Sequence, residues 1–251
     1  MKINLDGQRI LVTGASQGIG LAITHSLLEA GAKVIAQYHT DNKNLLALQQ
    51  RYGFCQTLKA DLSFQGECMW LYEAATEGGN LPLNALVNNA GCAIESPLVK
   101  ETASWCNDWD YQMNVNLKAA GILSRAFINQ NIQTGGRLVH IASRAAFRGD
   151  TPEYMAYAAS KAGMVALSRT IARGYGKKNF KSFIVAPGFV RTRMSKDFID
   201  TYGEDYVTSD LALNHLTLPA DIAPTVVFLL SGMADHATGS TIDINAGSYV
   251  H

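Results

Sequence analysis

Charge is scarce in this 251-residue sequence: 17% of residues are Asp, Glu, Lys or Arg, and 21 basic side chains face 21 acidic ones, for a net charge of zero. Without a basic surplus nothing draws the chain to phosphate backbones or anionic lipid, so nucleic-acid and membrane-surface roles are not expected. Proline is sparse, at six residues, and no Pro/Ser-rich linker or charge block beyond Lys177-Lys178 divides the chain. The four cysteines, Cys55, Cys68, Cys92 and Cys106, contain no C-x-x-C pair and are too few for a disulfide framework, which fits a reducing, cytoplasmic setting. No run reaches the roughly 18 apolar residues of a membrane helix. The mixed-polarity start MKINLDG does not read as a signal peptide, so a soluble protein is expected. The histidines, His25, His39, His140, His215, His236 and His251, show no H-x-x-x-H or H-E-x-x-H spacing, and no metal site is expected.

What the chain does have is 47% apolar residues and 22 glycines, the balance of a folded globular protein. Short β-branched or aliphatic runs at 9–13, 33–38, 57–60, 85–88, 137–141, 182–186 and 241–245 alternate with helix-period segments near 18–30, 42–52, 64–77, 107–130, 154–175 and 221–231. Strands with helices interposed predict an α/β fold, a Rossmann-type doubly wound, seven-stranded parallel sheet in a single domain spanning 1–251. The segment 193–218 lacks a clear strand, and Met194, Phe198 and Tyr202 recur there at helical spacing; it reads as a helical flap or a loop.

Two signals carry chemistry. Between the first strand and first helix lies Thr13-Gly14-Ala15-Ser16-Gln17-Gly18-Ile19-Gly20, a Cβ-poor turn. Such a turn lets backbone N–H groups approach a pyrophosphate at the positive end of a helix. On a later helix, Tyr157 and Lys161 stand at i and i+4 and share a face. A phenol titrates near 10, and a neighbouring ammonium favours its phenolate, so Tyr157 can exchange a proton with an alcohol oxygen.

Further pieces follow in order: Asn88-Asn89-Ala90-Gly91 after the fourth strand, Ser143 after the fifth, and Ala186-Pro187-Gly188-Phe189-Val190-Arg191-Thr192 after the sixth. Together these motifs resemble the short-chain dehydrogenase/reductase family from about Leu5 to the C-terminus, with most likeness to 3-oxoacyl-acyl-carrier-protein reductase-type members. The resemblance implies Tyr157 as general acid/base, Lys161 as the group that lowers its pKa and holds the nicotinamide ribose, and Ser143 as hydrogen-bond partner of the reacting oxygen. It also implies Asn116, in Val115-Asn116-Leu117, in a water-linked proton relay. For the cofactor it implies Gly14, Ser16, Gln17, Gly18, Ile19 and Gly20 around the pyrophosphate. Asp61 and Leu62 would meet the adenine, Asn88, Ala90 and Gly91 the adenosine ribose, and Pro187, Gly188, Val190 and Thr192 the nicotinamide. A homotetramer, or a homodimer, is implied through helices 107–130 and 154–175 and the C-terminal end.

NADP is distinguished from NAD at the end of the second strand, where an acid would hydrogen-bond the ribose 2′-OH and repel a 2′-phosphate. Here the strand runs Gln37-Tyr38-His39-Thr40 with no acid before Asp41, so NADP(H) is expected ahead of NAD(H), with Tyr38, His39, Thr40 or Lys43 near the phosphate. Gln17 departs from this, since NADP-preferring relatives often carry a basic residue there. Segment 129–136, Asn-Gln-Asn-Ile-Gln-Thr-Gly-Gly, has no Lys or Arg to dock an acidic carrier protein, although Lys178 can serve as one docking point. Segment 193–218 carries Asp197, Asp200, Glu204, Asp205 and Asp210 against Arg193 and Lys196. Phe183 and Ala246-Gly247 replace the family's usual Asn and Gly-Gly, a change for packing and not for chemistry. The expected function is hydride transfer between NADP(H) and a ketone/secondary alcohol pair, either a 3-oxoacyl thioester or another small ketone. An NAD-dependent alcohol dehydrogenase working oxidatively is the alternative. A non-catalytic dinucleotide-binding module would be expected to lose Ser143, Tyr157 or Lys161, and all three are present.

Overall fold

The computed structural model describes residues 3–53, 55–195, 199 and 203–250. Seven strands, β1 (Arg9–Val12), β2 (Lys33–Tyr38), β3 (Cys55–Lys59), β4 (Ala85–Asn88), β5 (Gly136–Ile141), β6 (Phe180–Pro187) and β7 (Thr241–Ile244), form one sheet in the order β3-β2-β1-β4-β5-β6-β7. Every pairing is parallel. The inner strands are apolar on both faces because helices cover both, as a parallel sheet requires. Ile10, Val12, Val34, Ala36, Val87 and Val139 pack against α1 (Gly18–Glu29), α2 (Lys43–Tyr52) and α9 (Pro219–Leu230). Leu11, Ile35, Leu86 and Leu138 pack on the other face against α3 (Gln65–Ala75), α5 (Ala119–Gln130) and α7 (Met155–Tyr175). The expected doubly wound single-domain architecture is the one observed. Phe183, at the position of the family's Asn, is a fully buried member of the α1/α9-side core.

Several boundaries differ from the sequence reading. β3 starts at Cys55 and β6 at Phe180, each two residues early. The helix expected over 107–130 begins at Thr102 as α4 (Thr102–Met113), because the Glu101 carboxylate accepts from the Ala103 and Ser104 N–H groups and caps it. It reaches α5 through a π-turn, Asn114–Lys118, in which the Ala119 N–H bonds to the Asn114 carbonyl. Between β5 and α7 lies the short α6 (Ala145–Arg148), and between β6 and α9 the five-residue α8 (Glu204–Thr208). Lys196, Asp197, Phe198, Asp200 and Tyr202, named above for segment 193–218, lie outside the described residues. The end of that segment is pinned by bonds from the Ala212 and Leu213 N–H groups to the Ala246 carbonyl, 2.8 and 3.3 Å. Among the described residues no helix is long and apolar enough to cross a membrane.

Candidate active site

The carboxyl ends of the parallel strands form one edge, and the chemistry-bearing residues collect there. After β1, Gly14 at φ +62° and Gly18 at φ +53° turn the chain into α1. A Cβ at Gly14 would sit 2.9 Å from the Ala90 Cα, and one at Gly20 only 2.1 Å from the Gly14 carbonyl oxygen, so this turn closes only with glycine. Gln37, an almost fully buried polar residue of β2, fixes it from the side. Its Oε1 accepts from the Gly14 N–H at 2.7 Å, its Nε2 donates to the Ala60 carbonyl at 2.8 Å, and its backbone carbonyl accepts from the Ala15 N–H. Thr13 and Asn89 tie the same turn to the segment after β4. The Thr13 Oγ1 accepts from the Asn89 and Ala90 N–H groups, and the Asn89 Nδ2 donates to the carbonyls of Thr13 and Gly14. Neither Gln37 nor Asn89 stood out as a binding residue in the sequence; a lone amide inside an apolar strand was the available signal for the first.

The turn passes a test for a dinucleotide. Gln17, the N-cap of α1, makes no side-chain cap bond, and the first turn of α1 holds no acid, so this helix start presents N–H groups and positive dipole to an anion. A Cβ at Gly91 would come within 3.2 Å of both the Lys161 Nζ and the Asn116 Oδ1, so glycine keeps open a cradle between β4 and α7. Pro187 ends β6, and Gly188, Val190 and Thr192 follow at the same edge. The His39 Nε2 lies 3.4 Å from an Asp61 oxygen, joining the ends of β2 and β3. Two expected contacts are turned elsewhere. Leu62 is buried in the core beside α3. The Asn88 side chain points to the Ser124 Oγ at 3.1 Å and the His140 Nδ1 at 3.3 Å, which leaves its backbone as the part nearest the edge.

Ser143 follows β5, buried, and its Oγ accepts from the Ala145 N–H at 3.1 Å. Tyr157 sits in the first turn of α7, half-buried. Burial pushes its phenol above the ordinary value of 10.0, the bonded Ser143 hydroxyl pulls it back, and Asp150 and Cys92 push it further up. Lys161 stands one helical turn further along α7. Burial brings Lys161 itself down to about 8, and its Nζ donates to the Ile141 carbonyl at 2.9 Å while lying 5.8 Å from the Tyr157 ring centre. Asn116, fully buried in the π-turn, has its side chain committed: Oδ1 accepts from the Cys92 N–H at 2.8 Å, and Nδ2 donates to the Cys92 carbonyl and the Ser160 Oγ, both at 2.9 Å. Ser160 in turn donates to the Tyr157 carbonyl at 2.7 Å. Asn116 thus joins the segment after β4 to the helix of Tyr157. The arrangement offers a protonated phenol, a buried serine hydroxyl that lowers its pKa, and an amine of lowered basicity one helical turn along α7.

Comparison with known proteins identifies the family. The family model described as enoyl-(acyl carrier protein) reductase matches residues 14–249. The chain is 31% identical over 247 residues to the 3-oxoacyl-[acyl-carrier-protein] reductase FabG of Rickettsia prowazekii, covering 98% of each. It is 28% identical over 252 residues to the 2-dehydro-3-deoxy-D-gluconate 5-dehydrogenase of Dickeya dadantii, covering 97% of this chain and 96% of the other. Among solved structures, the Pseudomonas aeruginosa RhlG/NADP active-site complex superposes with a TM-score of 0.88 at 27% identity, covering 99% of both chains. The chain belongs to the short-chain dehydrogenase/reductase family, and is an oxidoreductase of hydroxyl and keto groups.

Proposed function

We propose that this protein transfers hydride between NADP(H) and a ketone/secondary alcohol pair, with Tyr157 as proton donor and acceptor. The observation that carries this reading is the meeting, at one strand edge, of the glycine turn, the Gly91 cradle walled by Lys161 and Asn116, and Tyr157 with the Lys161 Nζ 5.8 Å from its ring centre. Gly14, Ser16, Gln17, Gly18, Ile19 and Gly20 hold the pyrophosphate, Ala90 and Gly91 meet the adenosine ribose, and Pro187, Gly188, Val190 and Thr192 flank the nicotinamide. When bound, NADP(H) supplies or accepts the hydride. Burial keeps the Tyr157 Oη protonated at neutral pH, so it can donate to a substrate oxygen as negative charge develops there. Ser143 offers a hydroxyl to the same oxygen. Lys161, with its pKa brought near 8, holds or passes on a proton near neutrality, while Asn116 positions the cradle through Cys92 and the Tyr157 helix through Ser160.

NADP is supported by the end of β2. No carboxylate stands in Tyr38-His39-Thr40, and Asp41 accepts from the Lys43 N–H at 2.9 Å to start α2. The Pseudomonas relative also holds NADP. Copies of the chain assemble, as a tetramer, through α4, α5 and α7 and the C-terminal end. The test is parallel titration with NADPH and NADH by nicotinamide fluorescence, followed by a panel of small ketones and 3-oxoacyl thioesters with the tighter cofactor. Tighter NADPH binding with turnover of one class is expected. Tighter NADH binding overturns the cofactor assignment, and binding of neither overturns the function.

A further inference from the structure

Arg144, the residue after Ser143, is a cation with nine-tenths of its surface buried. Its backbone N–H is bonded to the Pro187 carbonyl at 2.9 Å, and its guanidinium lies 5.6 Å from the Phe189 ring centre, so it rises between the serine turn and the chain leaving β6. Burial lowers its pKa, and nearby Arg148 lowers it further, an environment that calls for anionic partners. The protein supplies little. The Arg144 Nη1 donates to the Asp210 Oδ2 at 3.0 Å, and the Arg148 Nη1 donates to the same oxygen at 2.9 Å. Two guanidinium groups with five N–H donors each converge on a single carboxylate oxygen. Asp150 adds attraction for Arg144 from farther off, but its carboxylate accepts from the Thr151 N–H and forms no ion pair with either arginine. Asp210 belongs to the segment before α9, and its side chain is about half exposed, 53%.

We infer that Arg144 and Arg148 form a carboxylate-binding subsite beside Ser143, which Asp210 fills in the free protein and which the carboxylate of a keto-acid or hydroxy-acid substrate takes over. This rests on the oxidoreductase reading above and narrows its substrate class. Exchanging one carboxylate for another keeps the buried arginine paired, and the planar fork of a guanidinium suits two-point contact with the incoming group. A neutral substrate must be accommodated beside Asp210 and gains nothing from either arginine.

The test pairs small 2-, 3- and 5-keto acids with their methyl esters at saturating NADPH, acetoacetate against methyl acetoacetate being one pair. The wild-type protein is expected to favour an acid over its ester by about tenfold or more in kcat/KM, the size of a charge-assisted contact. Arg144→Gln should bring that ratio down by about 10-fold, towards one, and exposed Arg148→Gln, which spares the core, by a smaller factor. Asp210→Asn should act in the opposite direction and lower KM for the acid, because it removes the competing carboxylate. A clasp that only braces the fold would make the Asp210 and Arg144 variants change in the same sense for acid and ester alike, which would overturn the inference. Equal use of acid and ester by the wild type would do so too, while leaving the oxidoreductase reading in place. Turnover of no ketone at all would sink both.

Discussion

Gln37→Met removes the amide that braces the glycine turn while nearly conserving volume, and its effect can be worked out from two bonds. The Gly14 N–H loses its acceptor at 2.7 Å and the buried Ala60 carbonyl its donor at 2.8 Å. Each bond contributes about 1 kcal/mol net, and a buried group left unpaired costs about 1–3 kcal/mol. Gly14 is partly reached by water and Ala60 is not, so the expected loss of stability is about 2–3 kcal/mol. Cofactor affinity should fall as well, because the turn that faces the pyrophosphate loses its lateral support. Urea unfolding followed by circular dichroism at fixed protein concentration gives the first quantity, and NADPH titration gives the second. A variant within about 0.5 kcal/mol of wild type that binds NADPH unchanged would refute the reasoning, since that is the range of an ordinary surface substitution.

Tyr157→Phe should lower turnover by about 10²- to 10⁴-fold while NADPH binding persists; unchanged rates would remove Tyr157 from proton transfer. Burial lowers the His140 imidazole to about 3 from 6.5, so the folded protein resists a proton that the unfolded chain accepts. Stability should therefore fall as pH drops from 6.5 towards 3, by up to roughly 5 kcal/mol, and urea midpoints of His140→Gln should show a flatter acid limb. Lys161 titrates near 8 in the fold against 10.5 when exposed, so between these values the unfolded state holds more protons and stability rises with pH. The wild type should gain roughly 3 kcal/mol on Lys161→Met over that window, and parallel pH profiles would contradict the assignment. Ala246 holds a left-handed backbone, φ 53°, where glycine is at ease. Ala246→Gly should stabilise by about 0.5–1 kcal/mol, a rise in Tm of about 1–4 °C by calorimetry, and a fall would show that its methyl packing outweighs the strain.

The strands were legible because both of their faces are buried: an apolar run such as Val34-Ile35-Ala36 in β2 has no solvated side to blur it. β3 was placed two residues late for the opposite reason, since it is an edge strand whose Gln56 faces solvent. The start of α4 was missed because its signal is the capping carboxylate of Glu101, with little apolar periodicity behind it. At the site, Tyr157 and Lys161 are proposed from a local i, i+4 pair and Ser143 from its place after β5. Gln37 was not, since its partners, Gly14 and Ala60, are 23 residues away on either side and meet it only through strand register. Nothing local marks Arg144 and Arg148 as a pair, since the carboxylate they share lies 66 and 62 residues further on.

The π-turn at 114–118 gives the long helix a reading frame. An α-helix rotates by about 100° per residue, so one additional residue accommodated in a single turn rephases α4 against α5 by that angle. With this phasing Gln112 meets the Ile94 N–H at 3.0 Å and Asn116 meets Cys92, while Leu123 and Phe127 remain in the core. Deleting Val115 would restore regular α-helix at the loss of a single side chain. It would also swing Gln112 about a quarter-turn from its partner, detaching the segment after β4 from the helix that shapes it. The helix therefore tolerates substitution along its outer face far better than a change of length by a single residue.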